Sequence, residues 1–156
     1  MENGAQDGPL DGFDRKILAE LAKDGRLPVT ELARRIGLSK SPTQARVRRL
    51  EAEGYILGYR ALLDPEKLHR DHVAFVEVRL TDTREAALSA FNAAVMKVPE
   101  IETCHLIAGQ FDYLLKIRCR DMRAYRDILA EVVSNLPHVS STSTHVSMEA
   151  VKDAAL

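Results

Sequence analysis

The sequence predicts an α+β chain in two parts, three short helices followed by a β-α-β-β-α-β run. Three observations predict it. Up to residue 54, apolar residues recur at intervals of three and four, the period of a helix that buries one face. From residue 72 onward, stretches of period two alternate with two further helical stretches. Gly and Pro punctuate the runs, at Gly25, Gly37, Gly54, Pro99 and Pro137.

Residues 1–9 are polar, contain Gly and Pro and show no apolar period, so a disordered tail is expected there. Asp11 is placed to cap a first helix, in which Phe13, Ile17, Leu18 and Leu21 follow at helical spacing until Gly25. A second helix begins near Val29 or Thr30, turns Leu32, Ala33 and Ile36 inward and ends at Gly37, with Leu38 plugging the turn. Ser39 or Ser41 caps a third; with Ser41 as cap, Pro42 takes the first helical position, where its missing N–H costs nothing. That helix runs to about residue 53 and Gly54 stops it, which makes residues 10–54 one helical domain. Residues 55–63 read as an extended segment or hairpin, a wing, within a connecting stretch of residues 55–71.

Residues 72–80 alternate, with Ala74, Val76, Val78 and Leu80 on one face and Phe75, Glu77 and Arg79 on the other. Residues 83–98 form an amphipathic helix on Ala87, Leu88, Phe91, Ala94, Val95 and Val98, with Asp82 or Thr83 as cap. Residues 101–108 are a second strand, Gly109-Gln110 a tight turn, and residues 111–120 a third strand with Phe111, Tyr113, Leu115 and Ile117 on one face. Asp121 caps a helix that turns Met122, Tyr125, Ile128, Leu129, Val132, Val133 and Leu136 inward. Residues 139–148 are a Ser/Thr-rich fourth strand. This order is the ferredoxin-like arrangement, an antiparallel sheet with both helices on one face, assigned to residues 72–153. The other face carries Phe75, and a second subunit is its simplest cover.

On a 100° wheel, Thr43, Val47 and Leu50 of the third helix share one stripe, facing Ile17, Leu21, Leu32 and Ile36. Ser41, Gln44, Ala45 and Arg48 fall almost opposite, with Arg46 and Arg49 on a flank. A small, polar and cationic face opposite a packing face suits a major groove: Gln contacts base edges, Arg reaches guanine and Ala leaves room for a thymine methyl. Flanking Arg and the helix N-terminus, with Ser39 and Lys40, suit phosphates. Ala33, Gly37 and Leu38 give the close approach, the turn and the plug of a helix-turn-helix. A solvated helix face is the plain alternative for such an Arg-rich helix.

The balance of 46% hydrophobic and 29% charged residues is that of a soluble globular chain. The net charge of -1 argues against nucleic acid only as an average, because Arg34, Arg35, Lys40, Arg46, Arg48 and Arg49 follow one another with no acid between them. Aromatics are sparse and the two cores small, so association is expected. Cys104 and Cys119 sit in no metal-binding spacing, so no metal is expected and reduced thiols in the cytoplasm are. The N-terminus has no signal-peptide pattern, and the apolar stretches are too interrupted to span a bilayer, so no membrane partner is expected.

The segments LDGFDRKILAELAKDGR and ELARRIGLSKSPTQARVRRLEAEGYILGYRALLDP resemble the Lrp/AsnC (feast/famine) family of transcriptional regulators, and CHLIAGQFDYLLKIRCRDMRAYRDIL and LPHVSSTSTHVSMEAVK resemble its ligand-sensing and assembly domain. The likeness runs over residues 9–153 and is greatest to the leucine-responsive branch with its proline-utilisation activators. It implies a sequence-specific regulator of amino-acid metabolism genes, built as a homodimer through the C-terminal sheets, assembling to an octamer, binding double-stranded DNA and responding to an amino acid, with no cofactor. Leucine, proline and a branched-chain acid fit, proline being favoured. The positions matching the family's ligand site are Ala108, Gly109, Asp112, Thr142 and Thr144, while Gln110 stands where an acid is frequent. The chemistry is compatible: Gly109 allows backbone N–H groups near a carboxylate, Asp112 accepts from an ammonium, and the two Thr offer hydroxyls from one strand face. Turn chemistry accounts equally for Gly109 and Asp112, and β propensity for the threonines.

Two alternatives compete. A small-molecule enzyme on a ferredoxin-like fold lacks support, since His72, His105, His138 and His145 are scattered and no phosphate-binding Gly loop is present. A nucleoid-like architectural protein would share the basic helix but have little sequence preference.

Overall fold

The computed structural model describes residues 10–152, and the expected tail at residues 1–9 lies outside them, as does residue 153. The chain forms two compact units that divide between Leu62 and Leu63.

The first unit holds α1 (Gly12–Lys23), α2 (Val29–Ile36) and α3 (Lys40–Ala52). Asp11 opens α1 through a reciprocal pair: its carboxylate accepts the Asp14 N–H at 2.8 Å, and Asp14 accepts the Asp11 N–H at 3.2 Å. Gly37 ends α2 at φ 79°, a left-handed conformation that glycine adopts without strain. α3 begins two residues earlier than a Ser41 cap implies. Ser39 is the cap, so Pro42 is the third helical residue, still among the N–H positions with no helical partner. Gly54, at φ 77°, lets the Tyr55 and Ile56 N–H groups return to the Leu50 carbonyl at 2.9 and 3.1 Å. Ile17, Leu27, Leu32, Ile36 and Leu50 form the core, with Leu21, Leu38, Val47 and Ile56 packed against it.

Phe13 departs from the expected inward stripe. It is exposed, and Asp14 occupies the buried position beside it. Residues 55–63 contain no paired strand, which fits the extended segment rather than the hairpin. Tyr59 pins this arm, its hydroxyl donating to Glu51 at 2.9 Å, while Leu57 and Leu62 are exposed.

The second unit runs β1 (His72–Leu80), α4 (Glu85–Val95), β2 (Ile101–Leu106), β3 (Tyr113–Cys119), α5 (Met122–Glu131), a 3-10 turn (Val133–Asn135) and β4 (Val139–Val146). The sheet order is β2-β3-β1-β4, with antiparallel neighbours throughout. This is the ferredoxin-like order. Ala74, Val76 and Val78 of β1 and Leu115 and Ile117 of β3 share one core with Phe91 and Val95 of α4 and Tyr125 of α5, so both helices cover the same face.

α4 is shorter than residues 83–98, and its cap is Arg84 rather than Asp82 or Thr83. Asp82 instead accepts the Arg84 N–H at 2.9 Å and pairs with its guanidinium at 2.6 Å, a local turn that competes with capping. At the far end, Pro99 disfavours helical geometry in the residue before it. Met122 stands exposed rather than inward at the first turn of α5, and Phe111 lies ahead of β3. β2 and β4 each stop two residues short of the expected ends.

Candidate nucleic-acid interface and effector site

α3 has the two faces that its sequence implies. Thr43 and Leu50 are fully buried, and the Thr43 hydroxyl donates to the Ser39 carbonyl at 2.9 Å, spending its polarity inside the helix. Ser39, Lys40, Ser41, Ala45 and Arg48 are exposed, and Gln44 is half-buried. Lys40 and Arg48 make no ion pair among the described residues.

The flank is different. Arg46 donates to Asp11 at 2.7 Å and to Asp14 at 2.8 Å, and Arg49 donates to Asp14 at 2.6 Å. The Arg46 guanidinium also lies 5.6 Å from the Phe13 ring centre, within cation–π range. Burial works to raise the Asp14 carboxyl; hydrogen bonds from Arg46, Arg49 and the Asp11 N–H outweigh it and hold the group below the usual carboxylate range. On α2, Arg34 and Arg35 both bond Glu31, at 2.7 and 2.9 Å, and Arg35 also bonds Glu20 at 2.8 Å. Those guanidinium bonds pull the Glu31 carboxyl down to about 2.

The basic run that no acid interrupts in sequence is therefore interrupted in space, by Asp11, Asp14, Glu20 and Glu31. Sequence reading gave Asp11 only a capping role and gave Asp14 none. The signal was present: two acids three residues apart at a helix start form a capping box, whose second member has a fixed position from which to reach a neighbour.

In the second unit, Ala108 and Gly109 are exposed in the bend between β2 and β3, and Asp112 is half-buried at its end. The Asp112 carboxylate accepts the Leu80 N–H at 2.7 Å, beside the register shift between Arg79 and Leu80. Its own N–H donates to the Val78 carbonyl at 2.9 Å, so the bend is tied to the end of β1. Thr142 and Thr144 pair with Val78 and Val76 and share their face. The Thr144 hydroxyl is hydrogen-bonded to that of Tyr125 on α5. Within one chain the five residues thus form two groups, one in the bend tied to the end of β1 and one on β4 at its other side. Among the described residues, no cluster of His, Cys, Asp or Glu is placed to hold a metal ion, and no helix is long and apolar enough to cross a membrane.

The outer face of the sheet carries Phe75 with His145 and Lys116 as cross-strand neighbours. It also holds a His145–Glu77 contact at 3.2 Å and a Lys116–Glu102 pair at 3.6 Å.

Comparison with known proteins agrees with this architecture. Residues 10–56 match a winged helix-turn-helix DNA-binding model, and residues 73–156 match the Lrp/AsnC ligand binding domain. A proline dehydrogenase transcriptional activator from Rhizobium radiobacter is 56% identical over 156 residues, the whole of both chains. A leucine-responsive regulatory protein from Salmonella typhimurium is 51% identical over 145 residues, covering 93% of this chain and 88% of that one. Among solved structures, a transcriptional regulator from Neisseria meningitidis in complex with L-methionine superposes with a TM-score of 0.89 at 33% identity, over 94% of each chain. These relatives are regulators and not enzymes, which removes the enzymatic alternative. Three helices ending in a polar, cationic face, a ferredoxin-like sheet and these matches place the chain in the Lrp/AsnC family of DNA-binding transcriptional regulators.

Proposed function

We propose that this protein is a sequence-specific regulator of amino-acid metabolism genes that binds double-stranded DNA through the outer face of α3 and responds to an amino acid, proline or a leucine-like one being favoured. The observation that carries the reading is the separation on α3 of a buried stripe, Thr43 and Leu50, from an exposed small, polar and cationic one, Ser41, Ala45 and Arg48. On this reading Gln44 and Arg48 contact base edges, Ala45 leaves room for a thymine methyl, and Ser39, Lys40 and Ser41 hold phosphates. Arg46 and Arg49, being engaged by α1, act at the phosphate edge or through their effect on α3.

The effector is held by the bend at Ala108 and Gly109, by Asp112 and by Thr142 and Thr144. The split of these residues across β1 favours a site that a second copy completes. The uncovered sheet face with Phe75 supports a homodimer, and assembly to an octamer places dimer beside dimer. The cytoplasm suits a DNA-binding protein whose two cysteines are free thiols.

A thermal-shift screen of the twenty amino acids on the full chain, followed by duplex binding with each hit, tests the effector reading. A stabilising amino acid that changes duplex affinity is expected. The Asp112→Asn variant, which keeps an acceptor for the Leu80 N–H but loses the charge, is expected to lose that response and retain DNA binding. An unaltered response removes Asp112 from the site, and silence across all twenty removes the effector reading.

A further inference from the structure

We infer that Asp14 is a positioning residue for DNA reading: by holding Arg46 and Arg49 against α1 it fixes the roll of α3 and leaves Arg48 as the arginine presented outward. This rests on the reading of α3 proposed above. Asp14 is 2% exposed, in the first turn of α1, and its two carboxylate oxygens are divided. One oxygen accepts from Arg46 at 2.8 Å and the other from Arg49 at 2.6 Å. The two arginines are three residues apart and so lie on neighbouring turns of one face of α3. A single carboxylate therefore grips that helix at two heights, which resists rolling as well as sliding. The roll matters because successive residues are about 100° apart around a helix, so a shift of one position would exchange Arg49 for Arg48 at the outer face.

Charge adds a second reason. Asp11 accepts from Arg46 at 2.7 Å, so these two acids offset the two flanking cations. The sequence-independent attraction of α3 to phosphate is kept low, and the outward Lys40 and Arg48 dominate. Leu50 packs in one cluster with Ile17 of α1, an apolar contact that seats α3 on α1 without fixing its roll.

The test uses the full chain, a duplex recovered by the unmodified chain from a random-sequence pool, and a scrambled duplex of the same composition. Affinities are read by fluorescence anisotropy over a range of salt, well below each variant's melting temperature. For Asp14→Asn, the ratio of the two affinities is expected to fall roughly tenfold or more, as a misplaced base contact would cause. The slope of log affinity against log salt is expected to steepen by about one as a freed arginine meets a phosphate. Asp14→Glu, which keeps the charge, should restore part of the ratio, and Leu50→Val, a packing change, should lower the melting temperature without moving it. If Asp14→Asn does not fold, Arg46→Gln breaks the same clamp from α3 and should lower the ratio without steepening the slope. An unchanged ratio and slope, or both affinities falling together, overturns the inference alone. Failure of the unmodified chain to recover any duplex overturns it together with the reading of α3.

Discussion

Asp14 shows how much one side chain can decide. Its burial alone would be costly for a carboxylate, and two guanidinium groups and a backbone N–H offset that cost. Because these partners hold its folded pKa below the unfolded value of about 3.9, the ionised form favours the fold. The stabilisation is complete above that unfolded value and is lost as the pH falls through the folded one. Asp14→Asn should cost about 1–3 kcal/mol at neutral pH, tempered because Arg46 and Arg49 are partly exposed and can rehydrate. Melts followed by circular dichroism should then show the variant losing less stability than the unmodified chain as the pH falls below about 4. Parallel curves would mean that the Asp14 charge does not contribute. At this scale the sequence was least legible. Phe13 and Asp14 are adjacent, and a hydrophobic period places the aromatic ring inward; only the two arginines, more than thirty residues on, explain why the carboxylate is buried instead. Likewise, the commitment of Asp112 to Leu80 and of Thr144 to Tyr125 depends on strand register, which no local pattern encodes.

The elements were far more legible, because helix and strand periods are local properties. The three N-terminal helices, the alternation of β1 and the stops at Gly37 and Gly54 follow directly from residue spacing and glycine conformation. Ends were harder where local hydrogen bonds compete, as at Asp82, whose turn with Arg84 displaces the start of α4. Residues 55–63 left a choice between an extended segment and a hairpin that composition does not make, because a strand also needs a partner, and among the described residues of the unit none pairs with it. The packing of α3 makes a prediction of its own. Leu50 is fully buried among Ile17, Leu32 and Ile36, so Leu50→Ala should cost about 2–5 kcal/mol in denaturant unfolding of the N-terminal unit. A loss under about 1 kcal/mol would mean that α3 is not seated as described.

At the scale of the whole molecule, near-neutral net charge and DNA binding are compatible because charge is distributed locally. The acids of α1 and α2 are used on the arginines beside them, and the exposed side of α3 keeps Lys40 and Arg48. The two units divide the work of the family, a helix-turn-helix in the first and a ligand-binding sheet in the second. The most direct test of this account is the affinity of the full-length Arg48→Ala variant for the duplex that the unmodified chain selects, at one low salt concentration. A loss of about 1–3 kcal/mol is predicted, with relaxed preference at one base position. Unchanged affinity together with unchanged sequence preference would contradict it.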